Sequence, residues 1–250
     1  MARAGITAPG GSKAGHQDQK HHSPVPLLYV IFVLVPIYLM VITSFKTQQE
    51  ASSGLTLYPH SPTLNNYLYI LTDPAWSISF VNAFTYVVMN VIISIAVAVP
   101  AAYGFSRYRF VGDTLLFFWF LAARITPVAV LLLPLLQHYS TIGLMDTHVG
   151  VALAHCIFTV PVAVWILEGF VSGIPRELDQ IAWIDGYSRL AFFCFMASWV
   201  ELILANALTT IDAKPIIAML FRAGGPLGFV HLPILSAAGT LTILPGIALV

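Results

Sequence analysis

Six apolar stretches, at about 25–45, 81–105, 115–137, 149–170, 191–208 and 232–250, are separated by more polar segments along this chain. Each is close to the ~20 residues that a helix needs to cross a bilayer. The apolar runs are unbroken, whereas strands of a membrane barrel alternate polar and apolar residues, so the pattern predicts helices. The expected fold is an all-α integral membrane protein with about six transmembrane helices. The first 24 residues are polar, include Lys13, Lys20, His21 and His22, and have no apolar core. They are expected to be a tail and not a cleaved signal peptide, which leaves the first helix as the insertion signal.

Composition agrees with this pattern. The 250 residues are 58% hydrophobic and only 9% charged, with a mean hydropathy of +0.84. Soluble domains carry about 25% charged residues, so this chain lacks the polar surface to cover a globule, and the lipid bilayer is its first partner. A formal net charge of +0 offers no basic patch to neutralise phosphates, which argues against nucleic acid. Cys156 and Cys194 both lie inside apolar runs and read as small buried hydrophobes.

Lysine and arginine placement sets the expected orientation. With the N-terminus in the cytoplasm, Arg3, Lys13, Lys20, Arg107, Arg109, Arg176 and Arg189 lie inside, and Lys46, Lys214 and Arg222 lie outside. Residues 1–24 are then a cytoplasmic tail, 171–190 form a cytoplasmic loop, and the longest loop, about 46–80, is external. That loop, with Pro59, Pro62 and Pro74, reads as folded but irregular, with a short helix starting near Asn65-Asn66-Tyr67. An external docking surface is one role for a loop of this length.

The loop at 173–186 is a charged island between two apolar runs. Pro175 suits the first turn of a helix, and Glu177 and Asp179 complement the helix dipole there. Leu178, Ile181, Ala182 and Ile184 supply one apolar face, and Asp185-Gly186 is a stop signal. The expected product is a short amphipathic helix on the cytoplasmic surface.

The run Glu177-Leu178-Asp179-Gln180-Ile181-Ala182, followed by Ile184-Asp185-Gly186-Tyr187-Ser188, resembles the coupling loop of binding-protein-dependent ABC importer permeases. Its flanks, Gly169-Phe170 and Ile174-Pro175-Arg176, are similar to those of carbohydrate and polyol importers. So are 101–107, Arg124-Ile125-Thr126-Pro127, 143–147, Ser198-Trp199-Val200-Glu201 and Ala237-Ala238-Gly239. Val200-Glu201 and the Asn206, Ala213, Lys214, Pro215 region look most like glycerol-type importers. The resemblance implies that residues 25–250 form a transmembrane domain in a bacterial inner membrane. It also implies three partners: an ATPase, a second permease and an extracytoplasmic solute-binding protein. Arg176, Glu177, Leu178, Asp179, Gln180, Ala182, Asp185 and Gly186 would couple to the ATPase. The chain has no Gly-x-x-x-x-Gly-Lys-Ser/Thr loop, so ATP and Mg belong to that partner, and no cofactor or catalytic residue is expected here.

Three ionisable residues fall in or near the expected spans. Arg124 reads either as a cavity-lining gate or as an interhelical ion pair or snorkelling group. Glu168 is close enough to a span end to snorkel. Trp199 and Glu201 offer an aromatic face beside a carboxylate, which suits a polyhydroxylated ligand, and they are expected to line the translocation path. His155 has no second ligand at helical spacing, so it reads as a packed or hydrogen-bonded histidine and no metal site is expected. Phe117-Phe118-Trp119-Phe120 reads as lipid-facing or packing.

The chain departs from the pattern it resembles in three places. Gln180-Ile181-Ala182 stands where Glu-Ala-Ala is expected, the Ile-x-x-Pro-x-x-Pro segment before the fifth span is missing, and the sequence ends at Val250 inside the last apolar run. These changes predict weak ATPase coupling, as in a shortened and poorly functional permease. A stand-alone secondary transporter or channel is the other alternative.

Overall fold

A computed structural model describes residues 25–54, 56–173, 190–210, 212–223 and 232–248. The chain divides into two units, Met1–Tyr38 and Leu39–Val250. The described part of the first unit is the opening of helix α1 (Val25–Ser44). Its described side chains are exposed on every side, Phe32 at 77%. A helix that is apolar all round is suited to lipid and not to water.

The second unit is built around α4 (Pro74–Arg107) and α7 (His148–Ser172), which pack along one another. Both are long and apolar enough to cross a membrane, while the other apolar helices are shorter. At 1.5 Å per residue α4 spans about 51 Å, more than the ~30 Å hydrocarbon layer. Its start is well specified: the Asp73 carboxylate accepts from the amides of Ala75 (2.9 Å) and Trp76, with Pro74 at the first helical position.

Buried Ala83, Ala98 and Ala102 on α4, with Ala152 and Ala163 on α7, let the two backbones approach closely. Polar groups then join the pair. Asn90 Nδ2 donates to Ala152 O (3.2 Å) and Thr159 Oγ1 (3.1 Å), and Ser94 Oγ lies 2.9 Å from Thr159 Oγ1. Cys156 borders this cluster as a free thiol, and Cys194 is free and buried.

Two of the expected spans arrive as broken helices. The third comes as α5 (Asp113–Ile125) and α6 (Val128–Ile142), separated by extended backbone at Thr126 and Pro127. Proline disfavours helical backbone in the residue before it, which accounts for the break. The fifth comes as α8 (Leu190–Trp199) and α9 (Ile203–Leu208), parted at Val200–Leu202. The described chain closes with α10 (Ile216–Ala223) and α11 (Leu232–Ala248).

The long loop is folded, with α2 (Gln48–Ser52) and α3 (Asn65–Thr72), and α3 begins where a helix was expected. Asn66 Nδ2 donates to the carbonyls of Ser44 and Lys46, and Ser44 Oγ lies 2.6 Å from Tyr67 Oη. Lys46 is buried and donates to Thr56 O at 2.6 Å. The Glu50 carboxylate accepts from the His60 amide at 2.7 Å, and that bond holds its pKa below the usual carboxylate value.

The aromatic run on α5 divides by helical period. Phe117 and Phe120 pack against Phe105 of α4 at 5.5 and 5.9 Å between ring centres, whereas Phe118 and Trp119 are exposed. Glu168 lines a small hollow with Arg109 and Asp113, where Arg109 Nη1 lies 3.5 Å from Asp113 Oδ2.

Candidate translocation cavity

Where α8 stops, Val200, Glu201 and Leu202 separate it from α9. A cavity of about 260 Å³ opens beside this break. Val128 at the start of α6, His155, Phe158 and Thr159 of α7, Phe193 and Ala197 of α8, and Val200 and Glu201 line it.

The break explains how a carboxylate is tolerated among apolar helices. Glu201 Oε1 accepts from the amide of Ile203 (2.9 Å), and Oε2 accepts from those of Leu204 (3.0 Å) and Ala205 (3.2 Å). These are the free N–H groups of the first turn of α9, so the side chain serves as that helix's cap. Its other partner is His155, whose Nε2 lies 3.1 Å from Oε2.

His155 is held rigidly. It is 1% exposed, its Nδ1 lies 2.6 Å from Ser198 Oγ, and the Tyr86 ring meets it edge-on at 5.2 Å. The sequence reading of a packed, hydrogen-bonded histidine describes this environment. The Tyr86 hydroxyl and Asn90 Oδ1 are buried on the same side of α4 without hydrogen-bond partners.

Trp199 is placed differently from Glu201. It is 3% exposed, stacks on Phe195 at 5.5 Å and donates from Nε1 to Thr242 O of α11 at 2.9 Å. It does not line the cavity. α8 ends at Trp199 and Glu201 lies beyond that end, in the break before α9, so neighbouring positions in the sequence do not make neighbouring walls. Arg124 belongs to α5, but its side chain lies outside the described residues. Arg176, Glu177, Leu178, Asp179, Gln180, Ala182, Asp185 and Gly186 also lie outside them.

Sequence reasoning passed over a polar stripe on α4. Asn82, Tyr86, Asn90 and Ser94 recur every four residues and so share one helix face. That spacing inside an apolar run was the available signal. Asn82 Nδ2 donates to the carbonyls of Asp212 and Lys214, and its Oδ1 lies 2.9 Å from His148 Nε2. Asp146 anchors the same segment: its carboxylate accepts from the amides of Thr210 (2.9 Å), Asp212 (3.1 Å) and Ala213 (3.1 Å). Together they tie the start of α4, the α6–α7 turn, Thr210 and residues 212–214 at one end of the unit.

No protein-family model matches the chain. It is 26% identical over 234 residues to the sulfoquinovosyl glycerol transport system permease protein SmoH of Agrobacterium fabrum, covering 85% of this chain and 81% of that one. The fold is similar to a crystal structure of a bacterial ABC transporter involved in the import of the acidic polysaccharide alginate. That match has a TM-score of 0.72 over 90% of each chain, at 17% identity. Over most of its length the chain is similar to ABC importer permeases. A further relative, a putative ABC transporter permease protein of a Caldicellulosiruptor species, is 31% identical over 66% of this chain and 60% of its own. Like these relatives the chain is a membrane transport subunit and not an enzyme, and ATP hydrolysis in ABC importers belongs to a separate ATPase.

Proposed function

We propose that this permease carries a sugar or polyol, with glycerol-type solutes the nearest resemblance, through the bacterial inner membrane along a path that includes the Glu201 cavity. It works beside a second permease, receives solute from an extracytoplasmic binding protein and is driven by an ATPase that grips residues 173–186. The N-terminus is cytoplasmic and the chain crosses the membrane about six times. Relatives named for trehalose, α-glucoside and sulfoquinovosyl glycerol transport support the solute class. The lysine and arginine distribution supports the orientation.

The observation that carries this reading is the His155–Glu201 pair at the wall of a cavity between apolar helices. Ionisable groups are costly inside a bilayer and characteristically face a cavity or a partner. Trp199 supports the path from behind, by fixing α8 against α11.

Proteoliposomes holding this chain with its partner permease, ATPase and binding protein should accumulate radiolabelled solute only when ATP is supplied on the ATPase side. Solute stimulation of ATP hydrolysis should be weak, because Gln180-Ile181 replaces an acid and a small residue at the contact. Accumulation without ATP would assign the chain to stand-alone transport instead, and full stimulation would contradict the weak coupling.

A further inference from the structure

We propose that the Glu201 cavity is a solute subsite for one uncharged, hydroxylated molecule no larger than a single sugar ring, and that Phe193 sets this limit. The inference rests on the path reading above and narrows it.

Size comes first. Pockets for drug-sized ligands run from about 300 to 1,000 Å³, and this cavity, at about 260 Å³, falls below that range. A polyol or one sugar ring fits, and two linked rings do not. Phe193 and Phe158 are the bulky walls, while Ala197, Val200 and Val128 leave little else to trim.

Charge comes second. The polar lining is Glu201, His155 and Thr159, and no lysine or arginine lines the cavity among the described residues. An anionic solute would meet the Glu201 carboxylate in apolar surroundings with no cation to offset it. A neutral hydroxyl faces no such penalty. It can donate to the Glu201 carboxylate, which has about four acceptor positions and receives the amides of Ile203, Leu204 and Ala205.

His155 lines the cavity with its Nε2 buried 3.1 Å from Glu201 Oε2, so the pair forms one polar corner in an otherwise apolar wall. Phe158 and Phe193 supply apolar wall for the C–H side of such a molecule.

Equilibrium dialysis of the purified permease–ATPase complex, without binding protein, tests this directly. The probes are radiolabelled glycerol, glucose, maltose and glucuronate. Glycerol or glucose should bind at up to one molecule per chain, with maltose and glucuronate at least tenfold weaker. Phe193→Ala should narrow the gap between maltose and glucose severalfold, and Phe193→Leu should do so by less while guarding against a folding defect. Equal binding of maltose or glucuronate, an unchanged ratio in both variants, or no binding of any probe would overturn the proposal. If uptake still depends on Glu201 while the probe order is wrong, only this inference fails. If uptake ignores Glu201, the path reading fails with it.

Discussion

Glu201→Ala is expected to lower solute uptake at least tenfold in an importer that still assembles. A tenfold change corresponds to about 1.4 kcal/mol, close to the lower end of the ~1.5–3 kcal/mol scale of one hydrogen bond to a charged group. The alanine variant removes two things together, the acceptor for the amides of Ile203, Leu204 and Ala205 and the charge beside His155. Loss of a cap alone costs about 0.5–2 kcal/mol. Glu201→Gln separates the two effects in part, since its one carbonyl oxygen still accepts from α9, while the amide nitrogen in place of the second oxygen cannot and the charge is gone. The glutamine variant should therefore exceed the alanine variant in yield and thermal stability, yet transport as slowly per assembled importer. Wild-type uptake by a well-assembled Glu201→Ala importer would remove Glu201 from the path.

Gly150→Ala should damage the fold itself. A methyl group at this position would sit 2.1 Å from the Leu144 carbonyl oxygen and 2.9 Å from Thr147 Oγ1, which caps α7 by accepting from the Gly150 amide. Neither neighbour is the free end of a flexible side chain. The Leu144 carbonyl belongs to a turn held by positive φ at Gly143 (72°) and Asp146 (56°), and Asp146 is tied to Thr210, Asp212 and Ala213. Relief of the clash would have to move that turn and the His148–Asn82 contact with it. Overpacking of this kind costs about 1–3 kcal/mol or more. At roughly 2–4 °C per kcal/mol for a chain of this size, the melting temperature in detergent should fall by several degrees. Gly169→Ala is the control, because nothing lies within 4 Å of its added methyl. Equal melting temperatures for the two variants would show that the α6–α7 turn is looser than its geometry implies.

Local features were legible in the sequence where the physics is local. The helix at Asn65, the break at Thr126-Pro127 and the oddity of Glu201 each follow from a few adjacent residues. What the sequence hid depends on partners far along the chain. Asn90 finds Thr159 and Ala152 on α7, and Asp146 finds Thr210, Asp212 and Ala213, more than 60 positions away in each case. A hydrophobicity pattern carries no information about such pairs. The four-residue spacing of Asn82, Tyr86, Asn90 and Ser94 marks a polar face, but not what that face meets. Trp199 shows the opposite limit: adjacency to Glu201 suggested a shared wall, and the end of α8 at Trp199 separates their surroundings. That Glu201 caps a helix within an apolar stretch required knowing that the fifth apolar run breaks at Val200.

The central claim is that the cavity beside Glu201 is part of a path that opens to water as the ATPase cycles. Ala197 lines the cavity without taking part in its polar contacts, so a cysteine there reports access while leaving Glu201 and His155 intact. With Cys156 and Cys194 replaced by alanine, Ala197→Cys in the reconstituted importer should react with a membrane-impermeant maleimide. The rate should differ severalfold between the nucleotide-free complex and one trapped with ATP, and glycerol or glucose should slow it. A matching cysteine at the exposed position of Trp165 should show no such change. Equal labelling of Ala197→Cys in both nucleotide states, or none in either, would contradict the account.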